Sequence, residues 1–393
     1  MNYICYIYVL CFSYIRFHPN VKASKVYQAD WESLNTRPVH KWFEDAKFGI
    51  FIHWGVYSVP AYSPSSKDGV DPSARYAEWY VHRLKHKSDV QKYFRNFHNK
   101  AYGENINYRS LAKYFKAELF DAKFWAQTFK SSGAKYVVLT SKHHDGYTLW
   151  PSKYSENWNA VAVGPGFDIL KNLSHAVKSE GLKMGYYYSL LEWRHPWYGK
   201  NKWEMMGRYC TEHMIPQMKE LINNYNPDIL YGDGDWDFLS KVYQTPSFFE
   251  WLFNESPVKD SIVINDRWGK ETRGKHGGYY TTEYDTLKKL TDNVENSSFS
   301  KVWEECRGIG ASFGYNKNEN LEDYSSSEQL IHILINKVSR GGNLLLNIGP
   351  TADGRIPVIM QQRLCNFLFT FKISLLLLCI DFNFSFSDIL SYV

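Results

Sequence analysis

The stretch "PDILYGDGDWDF", residues 227–238, sets four aspartates around an apolar run of Ile229, Leu230 and Tyr231. The spacing Asp233-x-Asp235-x-Asp237 opens like a calcium loop, which needs Gly at its sixth position and Glu at its twelfth. Those positions hold Phe238 and Gln244, so the calcium reading fails. What remains is a short buried strand with a carboxylate at its exit. On that reading Asp228 stands at the strand's entry and Asp233 at its end, while Gly234 leaves room for a substrate to approach. Asp235 and Asp237 fall on the following loop as solvated turn residues.

The same pattern recurs outward along the chain. Runs rich in β-branched and aromatic residues are "FGIFIHW" (48–54), "AKYVVLTSKHHDG" (134–146), "KMGYYYSLLEW" (183–193), "SIVINDRWG" (261–269), "KVWEECRGIG" (301–310) and "GGNLLLNIGP" (341–350). Helical periods over 110–133, 168–181, 203–225 and 325–342 separate most of them. Strand–helix alternation predicts βαβ units around a parallel sheet. Repeated seven or eight times along the chain, it predicts an α/β fold, a (β/α)8-like TIM barrel. No G-x-G-x-x-G follows the first strand, which weighs against a dinucleotide fold.

One regularity points to function. The runs end in His53-Trp54, His143-His144-Asp145, Glu192-Trp193, Asp233, Asp266-Arg267, Glu304-Glu305 and Asn347. The carboxyl ends of barrel strands converge on one face, where active sites sit. A structural protein has no need of reactive groups at each strand end, so the pattern predicts an enzyme.

Composition agrees with a globular chain, at 44% hydrophobic and 22% charged residues. Aromatic residues reach 17%, with 14 Trp and 30 Tyr, which suits both a rich core and a cleft for half-apolar ligands such as sugars. The net charge of +5 is spread along the chain and indicates no nucleic-acid partner. Residues 1–23 read as a secretory signal lacking its basic start. Asn172, Asn254 and Asn296 begin Asn-x-Ser sequons. Cys210 and Cys306 have no metal-ligand spacing and read as free buried thiols, with one bridge between them as the alternative. Residues 366–393 form an atypical Phe/Leu/Ser-rich tail whose apolar core, "ISLLLLCI", is too short for a membrane anchor.

The chemistry then needs a second carboxylate to work with Asp233. Candidates are Glu283 in "HGGYYTTEY", Glu304 and Glu305. His53, His143 and His144 invite a metal reading, but adjacent strand residues point to opposite faces. Hydrogen bonding to a hydroxylated ligand suits neutral imidazoles better, and no metal or cofactor is expected. Glu78-Trp79 falls on a loop-helix insert, and "SRGGNLLLNIGPTADG" reads as the strand that closes the barrel.

"KFGIFIHWGVYSVPA", "AEWY", "SKHHDGYTLWPS", "YYSLLEW", "VINDRWG", "HGGYYTTEY", "RGIGASFGYN" and "GGNLLLNIGPTADG" resemble the α-L-fucosidases of glycoside hydrolase family 29. The likeness covers roughly residues 28–365. It implies a metal-independent retaining hydrolase acting on fucosylated glycans, glycoproteins or glycolipids, secreted or lysosomal, and compatible with a homo-oligomer. Carried over by position, the nucleophile is Asp233 and the acid/base is Glu283, with Glu304 as runner-up. Substrate contacts fall on His53, Glu78, Trp79, His143, His144, Tyr187, Tyr231 and Arg267, with Tyr231 standing where many members have Trp. Members continue into a C-terminal β-sandwich domain, and nothing after residue 365 resembles one. The alternative expectation is therefore a truncated, catalytically impaired fucose-binding product.

Overall fold

The computed structural model describes residues 25–85, 87–199, 201, 203–284 and 302–366. The signal reading of residues 1–23, the tail from residue 367 onward and the Asn296 sequon lie outside these residues. Eight strands form one parallel sheet: β1 Phe48–Ile52, β2 Tyr136–Lys142, β3 Lys183–Ser189, β4 Ile229–Asp233, β5 Val263–Ile264, β6 Tyr280–Glu283, β7 Trp303–Gly308 and β8 Asn343–Ile348. Their order is β5-β4-β3-β2-β1-β8-β7-β6, so the first strand pairs with the last and the sheet curls into a (β/α)8-type barrel. At the remaining seam, two backbone N–H groups, of Gly278 and Tyr279, reach the carbonyls of Asn265 and Ile264 at 3.1 Å.

Strands covered on both faces read as near-continuous apolar runs, and β1, β2, β4 and β8 are buried at every residue. Alternate residues split into two cores. Ile50, Ile52, Val137, Leu139, Leu344 and Leu346 face the helices. Phe51, Tyr136, Val138, Tyr187, Tyr231, Cys306 and Leu345 fill the barrel. Gly49 makes room inside: a Cβ there would fall 2.4 Å from the Tyr136 ring.

The helices Ala122–Ser131, Ile169–Ser179, Ile215–Tyr225, Thr245–Asn254 and Ser327–Ser339 follow β1, β2, β3, β4 and β7. Two expected helices differ. The span 110–133 is not continuous: a 3-10 turn, Tyr108–Tyr114, ends before Asp121 starts the true helix by accepting from the Phe124 N–H at 2.9 Å. Between them Ala117 and Leu119 donate their N–H groups to Ala352 and Asp353 on the loop after β8, which holds that stretch out of helix. Within 203–225 a π-helical turn, Tyr209–Met214, precedes Pro216, whose missing N–H a wider turn tolerates. No helix stands between β5 and β6, where residues 265–279 run as turns.

The placement of the paired glutamates also departs from expectation. Glu304 and Glu305 lie at the amino end of β7, not at its exit. Glu305 is buried on the helix side against Lys337 at 2.7 Å. Glu304 is buried on the barrel floor and accepts from the Tyr136 hydroxyl at 2.5 Å. Burial pushes its carboxyl from 4.5 up to about 8, against the lowering pull of Tyr136, Tyr279 and Arg267. The folded chain therefore holds this proton more tightly than the unfolded chain does. Its contribution is complete below the ordinary carboxylate range and is lost as pH rises toward 8. Urea midpoints are expected to fall between about pH 5 and 8, and Glu304→Gln to make that fall shallower. An unchanged slope in the variant would count against this assignment.

Candidate active site

The pocket at the carboxyl ends of the strands is built from alternate residues of each. On β4, Ile229, Tyr231 and Asp233 climb the inner wall in steps of two, which sets Asp233 at the rim directly above the Tyr231 ring. Tyr187 on β3 arrives level with Tyr231, and the rings stack at 6.0 Å. The Tyr187 hydroxyl donates to Asp233 Oδ2 at 2.9 Å. Around them stand His53, Glu78, Trp79, His143, His144, Arg267 and Glu283. All ten residues expected to act or bind thus line one cavity, whereas Glu304 lies below it.

Arg267 ties the two rim carboxylates together. Its Nη1 lies 3.1 Å from Asp233 Oδ1 and 2.5 Å from Glu283 Oε1. Its Nε donates to Thr281 Oγ1 at 2.8 Å, and that hydroxyl donates to the buried Asp266 at 2.6 Å. The guanidinium is thus oriented from behind while its front edge meets both acids. Burial works to raise the Asp233 carboxyl, but Arg267, Arg273 and the Tyr187 hydroxyl outweigh it and hold the group below the usual aspartate range.

The three histidines are neutral. Burial lowers His53 to about 4 and takes His143 and His144 well below the ordinary imidazole value. Their tautomers follow from their partners. The Asn347 amide nitrogen donates to the Phe313 carbonyl at 2.7 Å, so its Oδ1 must accept from His53 Nδ1, also at 2.7 Å. Ser189 donates to the Leu191 carbonyl, so its oxygen accepts from His144 Nδ1. In both rings Nε2 is left as an acceptor, and that of His144 lies 3.6 Å from Asp233 Oδ2. His143 Nδ1 is buried with no hydrogen-bond partner in the described structure.

Several expectations are corrected here. His143 and His144 do not point apart, because β2 ends at Lys142 and the chain turns; their rings lie 4.1 Å from one another and both face the pocket. Asp235 is not a solvated rim residue: it is buried and takes two bonds of 2.8 Å from Arg273. Gly234, at φ +76°, serves the turn, since a Cβ there would strike Leu191 at 2.9 Å rather than a ligand. Glu192 turns away from the pocket. It is buried against Lys142 at 3.3 Å and His213 at 2.9 Å, and although burial opposes it, these partners lower it to about 2. Gly146 supports that placement, because a Cβ at its φ of +78° would fall 2.3 Å from Glu192 Oε1.

Glu78 comes from a 3-10 turn, Ala77–Trp79, and is fixed by the Gly314 N–H at 2.8 Å and the Ser312 hydroxyl at 3.3 Å. Burial raises its carboxyl to about 7. Sequence reading missed Phe51, Tyr76, Trp236, Cys306 and Phe313, which complete the walls. Phe313 lies inside "RGIGASFGYN" and Trp236 inside the acidic stretch, so a signal existed for both. Arg273, on the turns after β5, has none. Among the described residues no three His, Cys, Asp or Glu side chains converge as a metal site. Cys210 and Cys306 are free and buried.

The family model described as alpha-L-fucosidase matches residues 15–367. The alpha-L-fucosidase of Dictyostelium discoideum is 43% identical over 352 residues, covering 88% of this chain and 72% of that protein. The crystal structure of Thermotoga maritima alpha-fucosidase superposes with a TM-score of 0.71 at 40% identity, covering 87% of this chain and 76% of the other. The same enzyme in complex with fucose gives a TM-score of 0.68 at 39% identity, with the same coverage. The chain belongs to the alpha-L-fucosidase family of glycoside hydrolases.

Proposed function

We propose that the chain is a retaining α-L-fucosidase with Asp233 as nucleophile and Glu283 as acid/base. The observation that carries this reading is the shared Arg267 nitrogen. It reaches one oxygen of each carboxylate, at 3.1 and 2.5 Å, so those oxygens lie within about 5.6 Å of each other. Retaining pairs stand about 5–5.5 Å apart, and inverting pairs about 6.5–9.5 Å to admit a water. The two acids also differ in setting. Asp233 is buried, and the positive charge beside it keeps it ionised for attack on the anomeric carbon. The Glu283 side chain is 36% exposed at the mouth, where a leaving oxygen emerges and takes its proton. Bond formation to Asp233 Oδ accompanies cleavage of the glycosidic C–O bond. Water then attacks the glycosyl-enzyme as Glu283 takes the proton back.

The walls suit a deoxy sugar. His53, His143, His144 and Glu78 offer acceptors and an orphan imidazole nitrogen to hydroxyls. Phe51, Tyr76 and Phe313 form an apolar side, with Phe313 5.0 Å from His53 and 5.7 Å from Tyr76. A methyl substituent gains there what a hydroxymethyl would lose by desolvation. The substrates proposed are fucosylated glycans, glycoproteins or glycolipids, and the fucose complex of the Thermotoga maritima enzyme supports fucose as the sugar. We favour this reading over the impaired-product alternative because the eight strands assemble and the expected residues share one pocket.

We further propose a secreted or lysosomal location. No helix among the described residues is long and apolar enough to cross a membrane. Of the two described sequons, Asn172 is exposed on its helix, whereas the Asn254 amide is committed to both backbone groups of Tyr27, at 2.9 and 2.8 Å. Asn172 is the position this reading offers to a glycan.

Asp233→Gly is expected to cut hydrolysis of an aryl α-L-fucoside by at least about a thousandfold, and added azide to restore part of it as a fucosyl azide product. Near-native turnover in the variant would sink the nucleophile assignment. Glu283→Gln should cost about 10²–10⁴-fold on fucosides with poor leaving groups and much less on activated ones; equal losses on both would remove Glu283 from the acid role. Because Asp233 acts ionised and is held low, its acid limb in kcat/KM lies below the ordinary 3.8. Arg273→Gln should move that limb to higher pH. An unmoved limb would separate Arg273 from the nucleophile's charge.

A further inference from the structure

Trp236 is the one residue of the pocket wall that is exposed, at 38%; the other described lining residues are buried or half-buried. A large exposed aromatic alone carries no meaning, but this one is held in place on both sides. Before it, Asp235 is buried and clamped by two bonds from Arg273. After it, Asp237 accepts the Tyr198 hydroxyl at 2.8 Å, and Phe238 is buried beside Tyr243 at 5.8 Å. The turn that begins at Gly234 is anchored on each flank, so the indole is presented to water by a stiff loop.

Its inner edge continues the pocket. The Trp236 ring lies 5.8 Å from that of Trp79, tilted by 34°, and 5.4 Å from His144. Trp193 extends the same surface, 5.2 Å from Trp79 and 5.0 Å from His144. The pocket is closed below by the barrel core, so whatever is joined to the anomeric carbon must leave through the mouth. That mouth is where the Glu283 side chain is 36% exposed and where Trp236 stands.

We infer that Trp236 is the platform on which the first sugar of the leaving group stacks, making it a specificity-determining residue for fucosides of a hexopyranose over those of small aglycones. The inference rests on the fucosidase reading of the same site. A pyranose presents an apolar face of C–H groups, and an indole held at fixed orientation meets it at little cost in conformational entropy.

Two measurements on the full chain test it. The first is the ratio of kcat/KM for a fucosyl-α-(1→2)-galactoside to that for α-L-fucosyl fluoride, which carries no sugar leaving group. Trp236→Leu is expected to lower this ratio about tenfold, and Trp236→Tyr to restore most of it. A ratio unchanged by Trp236→Leu, with both substrates slowed alike or neither slowed, would overturn the inference. The second uses calorimetry on the Asp233→Gly chain, which does not depend on turnover. The disaccharide should bind more tightly than free fucose, and adding Trp236→Leu should erase that advantage while circular dichroism and fucose binding report the fold. Equal preference for the disaccharide with Trp or Leu would again overturn it. Failure of the native chain to hydrolyse the fluoride would instead count against the fucosidase reading, and calorimetry would still decide the role of Trp236.

Discussion

The active face depends on a single buried cation. Arg267 is 2% exposed, and a guanidinium withdrawn so far from water is tolerable only when carboxylates and further acceptors surround it. Asp233, Glu283 and the Thr281 hydroxyl supply those partners, and Tyr231 lies beneath the charge at 5.4 Å. Removing one partner of such a set leaves a buried charge uncompensated, at roughly 3–5 kcal/mol. The two acids share this cation and are therefore positioned relative to each other by it, not by their own strands alone. Arg273 adds a second positive charge, 3.6 Å from Asp233, and ties the following loop through Asp235. Charge compensation and loop geometry are thus the same set of contacts.

That coupling explains which parts of the site were legible in sequence. The place of Asp233 at the rim could be read because it ends an apolar strand, and the barrel because the strand–helix alternation recurs along the chain. The error at Asp235 arose because a loop aspartate is ordinarily solvated. Its burial depends on Arg273, 38 residues away, whose position on an irregular turn carries no periodic signal. His143 and His144 escape the strand rule of opposite faces for a local reason: β2 ends at Lys142, and the backbone turns there. The break at Asp121 was likewise set from afar, by the carbonyls of Ala352 and Asp353.

Behind the pocket a second polar set, Lys142–Glu192–His213, is buried between β2, β3 and the π-helical turn. It contains acid, base and imidazole, yet it lies on the helix side of the sheet. Its place is structural: it fixes the loop carrying Trp193 against the turn carrying His144, whose backbones bond directly at 2.9 Å. His213 lies within the π-helical turn and meets Glu192 at 2.9 Å.

The contrast between Glu283 and Glu304 shows how register separates chemistry from packing. β6 and β7 pair with Thr281 opposite Glu304 and Glu283 opposite Cys306. Glu304 is therefore two residues lower than Glu283 in the ring, a drop of about 6.6 Å along a strand. At that depth it meets Tyr136 and the barrel floor, and burial keeps it protonated at neutral pH. Two residues higher, Cys306 lines the pocket beside Arg267 and Tyr231, with its thiol pushed up beyond ionisation by burial. Of the three carboxylates on these paired strands, Glu283 alone combines contact with Arg267 and exposure at the mouth.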